Sequence, residues 1–253
     1  MIGLGYVETI SHETVRQVLK KSEIKPWLKK SWCIPPAASA QFVCRMEDVL
    51  DLYKRPIDPN CPLVCMDESS KQQIKETKRP LPPLPGQPER FDFEYERNGV
   101  AHLFMFVAPL AGWRHVAVAD HHAKRDWANM MRELAEVHFP NAPKIRVVLD
   151  NLTTHRPEVF CEFFEPEVAK RLLDRFEFHY TPKHGSWLNM AEIEFSALFR
   201  ECLDRRIGER QALIEHVAAW ETDRNVRGAA IDWRFTTGDA RIKLKRLYPS
   251  INT

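Results

Sequence analysis

Apolar residues recur along the middle of this chain in two rhythms. Short runs rich in Val, Ile, Leu and aromatic residues fall at Leu63 to Met66, Val100 to Val107, Trp113 to Ala119, Ile145 to Leu149 and Phe176 to Tyr180, lengths and compositions that predict strands. Between and after them, Lys124 to Phe139, Pro157 to Asp174 and the segment opening at Ala191 carry apolar residues at helical spacing. The order is three strands, helix, strand, helix, strand, helix, which defines an α/β fold built on a mixed sheet flanked by helices. Phe91 to Glu96 alternates aromatic and acidic residues and leads into Asn98-Gly99, a pair that predicts a two-residue hairpin turn before the Val100 run.

The flanks read differently. Ser11 can cap a helix from His12 to Lys21, with Val15, Val18 and Leu19 as its apolar stripe and Arg16, Gln17, Lys20 and Lys21 on the other face. Residues 32–60 hold the Pro35-Pro36 break, a helix around Gln41 to Tyr53, and Pro56 and Pro59, with Pro62 just beyond, and read as a linker. Pro80 to Pro88 contains five prolines in nine residues and cannot be a central strand, so a stiff surface loop is expected there. The domain reading is therefore 1–31 as a short helical segment, 32–60 as linker, and 61–253 as the main domain with C-terminal helices.

With 253 residues, 44% of them hydrophobic, the chain can bury a large core. Its longest nearly apolar stretch, Leu103 to Trp113, is too short to cross a bilayer, so cytoplasmic residence and no membrane partner are expected. The six cysteines form no C-x-x-C pair and read as reduced thiols. Net charge is only +2, but Arg16, Lys20, Lys21, Lys25, Lys29 and Lys30 crowd the first thirty residues, as Arg241, Lys243, Lys245 and Arg246 crowd the end. Such clusters suit phosphates, though a solvated face is their commoner meaning. Neither a phosphate-binding G-x-x-x-x-G-K-[ST] loop nor a G-x-S-x-G elbow occurs. Asp120-His121-His122 is a poor metal site, because neighbours on an extended segment point to opposite faces.

Three acids carry the candidate chemistry. Asp67 follows Pro-Leu-Val-Cys-Met, Asp150 follows Lys-Ile-Arg-Val-Val-Leu, and Glu192 opens a helix after Trp187-Leu188-Asn189-Met190-Ala191. The first two are expected at the carboxyl ends of strands. Singly, an acid at a strand end or helix start is ordinarily structural. Together they could hold two hard divalent cations, whose preferred donors are carboxylate oxygens and whose charge neutralises the attacking and leaving oxygens of a phosphodiester. Ala191, Phe195, Leu198, Phe199 and Cys202 form one helical face, with Glu192 and Glu194 both near its edges, so periodicity alone leaves the third ligand open between them.

Met66-Asp67-Glu68, Val148-Leu149-Asp150-Asn151 with His155, and Tyr180 through Glu192 (Tyr-Thr-Pro-Lys-His-Gly-Ser-Trp-Leu-Asn-Met-Ala-Glu) resemble the three acid-bearing segments of the DDE transposases of mariner-type bacterial insertion sequences. The resemblance runs from about Thr9 to Ile207. It implies a partial helix-turn-helix DNA-binding segment in 1–31, a ribonuclease-H-like catalytic domain in 61–253, metal-dependent DNA cleavage and strand transfer, and Glu192 as the third acid, with Glu194 as fallback. Two Mg2+ ions, replaceable by Mn2+, would be held by Asp67, Asp150 and Glu192, with Asn151 and His155 as auxiliaries. It implies double-stranded DNA as partner, through terminal inverted repeats and a TA target, a homodimeric synaptic complex, and association with the nucleoid. Arg16, Lys20, Lys21, Lys183 and His184 are the expected DNA contacts. Two alternatives stand beside this reading: a truncated, non-catalytic DNA-binding remnant that represses, and a ribonuclease-H-like nuclease.

Overall fold

A computed structural model describes residues 9–21, 35 and 37–250, which fall into two units, Met1–Cys33 and Ile34–Thr253. The first unit contains helix α1 (His12–Lys21). The Ser11 hydroxyl accepts the Thr14 N–H at 3.0 Å, satisfying a donor that the first turn leaves free. Arg16 reaches back to both oxygens of Glu13 at 2.7 Å. The side chains of Val18, Leu19, Lys20 and Lys21, and most of the expected helix-turn-helix segment, lie outside the described residues.

The second unit is built on one sheet of five strands in the order β3-β2-β1-β4-β5. They are β1 (Leu63–Glu76), β2 (Tyr95–Ala108), β3 (Trp113–Ala119), β4 (Ile145–Leu149) and β5 (Phe176–Tyr180). Strand β2 runs antiparallel to both β1 and β3, whereas β4 lies parallel to β1 and β5 parallel to β4. Because successive side chains alternate between faces, Cys65, Leu103, Met105, Val107 and Val148 enter one apolar cluster while Val64, Met66, Phe104, Phe106 and Val147 enter the other. Both faces are covered, which is why the β2 and β4 runs are continuously apolar rather than alternating.

Helices α2 (Ala40–Leu52), α6 (Met190–Leu198), α7 (Arg210–Val226) and α8 (Thr237–Lys243) cover the Cys65 face. Helices α3 (Lys124–Glu133), α4 (Val159–Phe163) and α5 (Pro166–Arg175) cover the Val64 face. Helix α2 lies within the stretch expected as linker, yet it buries Phe42, Met46, Val49, Leu50 and Leu52 and so belongs to the core.

Local details depart from expectation for identifiable reasons. Asn98-Gly99 is not a hairpin turn: β2 runs through it, and the two residues oppose Gln73 alone as a bulge, with Gly99 at φ 90°. A two-residue turn and a glycine bulge ask for the same positive φ, so the dipeptide signals either. The expected single helix from Pro157 to Asp174 is two, because Pro166 lacks the N–H that would continue α4 and instead opens α5. The proline stretch sits between β1 and β2 as a small finger closed by bridges Leu81↔Arg90 and Leu84↔Gln87.

Candidate active site

Strand register brings the first two acids together. In the parallel pairing of β1 with β4, Cys65 lies opposite Val148, and the ladder ends there. Two residues further along each chain, Asp67 and Asp150 continue the alternation on the face of Cys65 and Val148, where α6 packs. Asp150 follows the last residue of β4, as expected. Asp67 does not end its strand: it is the fifth residue of 14 and stays paired with Met105 of β2. The notch is therefore a parting of β1 from β4, not the end of both.

Asn189 brings in the third acid. Its side-chain oxygen accepts the Ala191 N–H at 3.1 Å as the N-cap of α6, and its amide donates to the Met66 carbonyl at 2.8 Å. The helix start is thereby tied to the peptide before Asp67, with Glu192 in the first turn. Glu194 goes elsewhere. It is buried, accepts from Arg224 at 2.8 and 3.2 Å, and lies 3.2 Å from the buried Arg114. Two residues along a helix turn a side chain well away, so the fallback ligand is committed to two guanidinium groups and is not available at the notch.

The electrostatics of the notch follow from burial and like charge. Burial pushes the Asp67 carboxyl up, to about 7; the Glu68 N–H, 2.8 Å from its Oδ1, pulls the other way, and the charges of Asp150 and Glu192 add to the rise. His155 lies beneath. Its Nδ1 is 2.5 Å from Asp150 and its Nε2 2.9 Å from Glu68, while its ring stacks on the buried Trp127. Burial opposes its charge, but the hydrogen bonds to Asp150 and Glu68 outweigh that and raise it to about 9. At neutral pH it is an imidazolium donating from both nitrogens. Asp67, Glu68, Ser69, Ser70, His122, Asp150, Leu152 and His155 line one open cavity of about 220 Å³.

Glu68 and Asn189 are site residues that sequence reasoning missed. Asn189 had a signal, an N-cap residue immediately before a helix. Glu68 had only its adjacency to Asp67. Asn151, Lys183 and His184 are exposed. The loop carrying Lys183 and His184 is tightly folded: His184 adopts φ 64°, the Gly185 N–H donates to the Pro182 carbonyl at 2.8 Å, and a Cβ on Gly185 would lie 2.5 Å from the Pro182 ring. Trp187 stacks on Trp233. Arg16, in the first unit, is engaged by Glu13.

Half-buried acids gathered where a mixed sheet parts are a fit for cations, whose charge would offset the burial and the like charges that together raise Asp67. The donors are all hard carboxylate oxygens, the set that suits Mg2+ or Mn2+. Their ligand atoms are not all within 4.8 Å of one another.

The architecture, a mixed five-stranded sheet flanked by helices, is ribonuclease-H-like. The profile of the DDE superfamily endonucleases matches residues 62–214, more than half of the sequence, and the chain belongs to that family. Among solved structures, the Mos1 transposase paired-end complex with the left transposon end superposes with a TM-score of 0.51 at 14% identity, covering 87% of this chain and 67% of that one. The mariner Mos1 paired-end complex with Mg gives 0.53 at 16%, covering 95% and 72%. The Mos1 strand transfer complex gives 0.53 at 14%, covering 87% and 66%. These likenesses establish the shared fold. No curated protein matches the sequence, and no described helix is long and apolar enough to cross a membrane.

Proposed function

We propose that the chain is a transposase that cuts DNA at the ends of an insertion sequence and joins them to a target, with Asp67, Asp150 and Glu192 holding two divalent cations. The observation that carries this reading is the register Cys65↔Val148, which sets two acids side by side on the face where α6 begins. Family membership and the Mos1 fold lend it support. When bound, the cations would activate an attacking water or 3′-hydroxyl and offset charge on the leaving oxygen.

The remaining work belongs to the chain. His155, charged and held by Glu68, fixes the Asp150 carboxylate on one side and leaves its second oxygen for a cation. Asp67, raised to about 7 chiefly by burial, would hold a cation in its ionised form. Lys183 and His184, exposed on the loop before α6, would meet phosphates, and Arg16, Lys20 and Lys21 of α1 would meet transposon-end DNA. Glu194, already ion-paired, takes no part in this chemistry. Two chains pairing two inverted-repeat ends complete the proposed assembly.

The test is cleavage of duplex DNA bearing the flanking inverted repeats with Mg2+ or Mn2+, run beside an RNA–DNA hybrid. Asp150→Asn is expected to lower strand cleavage by at least about 1,000-fold, the scale of losing several kcal/mol of transition-state stabilisation. Its DNA affinity should be unchanged or slightly higher, because a charge repelling phosphate is gone. Wild-type cleavage by Asp150→Asn would overturn the assignment. Cleavage of the hybrid alone would favour a ribonuclease-H-like nuclease, and DNA binding without cutting would favour a repressing remnant.

A further inference from the structure

On the edge of the sheet, away from the acids, His115 of β3 meets the end of α3. Helix α3 runs into a π-helical turn, Leu134–His138, in which the Phe139 N–H bonds the Leu134 carbonyl at 3.0 Å. That wider turn puts residues five apart on one side, so Glu133 and His138 both face His115. The Glu133 Oε1 is 3.9 Å from His115 Nε2 and 3.8 Å from His138 Nε2, and one ligand atom from each of the three lies within 4.8 Å of the others.

Two further observations point to a ligand. His138 Nε2 is shielded from solvent and has no hydrogen-bond partner, a costly state for a buried polar atom. The other nitrogen of His115, Nδ1, is 3.1 Å from Glu221 on α7, whose second oxygen accepts the Val116 N–H at 2.8 Å. A carboxylate fixed behind an imidazole is the arrangement that orients histidine ligands toward a metal.

We propose that His115, Glu133 and His138 form a second metal site, separate from the acids, that binds one Zn2+ with a water in the fourth position. Two imidazoles and one carboxylate are a recurrent zinc donor set, and imidazole selects against Mg2+. Tetrahedral bonds of about 2.0–2.1 Å place donors about 3.4 Å apart, so the two Glu133–histidine separations need to close by only about half an ångström. The ion would clamp the edge strand to the end of α3. Among the described residues no other His, Cys, Asp or Glu group reaches this closeness.

The test uses the full chain carrying Asp67→Asn and Asp150→Asn, so that cations at the acids neither contribute nor confuse the readout. Metal-stripped protein titrated with Co2+ should bind one equivalent with the intense visible bands of a four-coordinate ion, and Zn2+ should displace it. His138→Gln should weaken Co2+ binding by at least about 100-fold, and Glu221→Gln, which loses only the orienting carboxylate, by about 10- to 100-fold. Glu133→Gln, at a more exposed position, provides a second ligand variant if His138→Gln does not fold. Absence of the bands, or an affinity unchanged in a folded ligand variant, would overturn the site. Neither result depends on whether the chain cuts DNA.

Discussion

His155 is a buried cation between two acids, so its protonation is part of the stability of the fold. Its folded value, about 9, stands above the ordinary 6.5. That contribution is complete below pH 6.5 and is lost as pH rises through 9. Asp67 acts in a lower window: raised from 3.8 to about 7, it binds more protons folded than unfolded, so it too lowers stability as pH climbs from 3.8 to 7. Metal-free protein should therefore show a urea midpoint that declines from pH 6.5 to 9, and His155→Gln should flatten that decline. Equal slopes for the two proteins would count against the imidazolium. The three acids were readable in the sequence because each closes a short apolar run or opens a helix. The bond from His155 to Glu68 was not, since it joins residues 87 apart and depends on which face each strand turns inward.

At the scale of elements, the loop from β5 to α6 sets the angle at which Glu192 arrives. Gly185 is needed there less for its φ than for its missing side chain, because a Cβ would meet the Pro182 ring at 2.5 Å and the Pro182 carbonyl at 3.0 Å. Gly185→Ala should cost about 1–3 kcal/mol, the usual penalty of overpacking. Cleavage should fall further than the folded fraction does, because the helix start must shift. A variant as stable and as active as the parent would show that the loop yields freely. Strand positions were legible from their apolar runs, and helix α2 from its spacing. Whether Asn98-Gly99 would turn the chain or bulge it was not, because both outcomes use the same backbone conformation and only the partner strand decides. Helix α2 likewise reads as a connector beside so many prolines, and only its buried face reveals it as core.

Across the whole molecule, Glu194 ties α6 to α7 and to the sheet edge through Arg224 and Arg114, and Arg114 also donates to the Gly112, Arg224 and Ala229 carbonyls. Removing one partner from such a buried group strands the others, so Glu194→Gln should destabilise by about 3–5 kcal/mol. Glu192→Gln should leave unfolding within about 0.5 kcal/mol of the parent and abolish cleavage. The two glutamates are thus separable by running denaturation and cleavage on both variants; the reverse pattern would exchange their roles. The closing of the notch by α6 also has a meaning in time. Asp67 leaves the ribosome long before Glu192 is made, and the intervening chain must first fold into strands and helices whose pairings span most of the unit. A message cut short between Asp150 and α6 yields a chain with two of the acids and no third, so under the proposed function a broken copy of that length would be harmless to the chromosome.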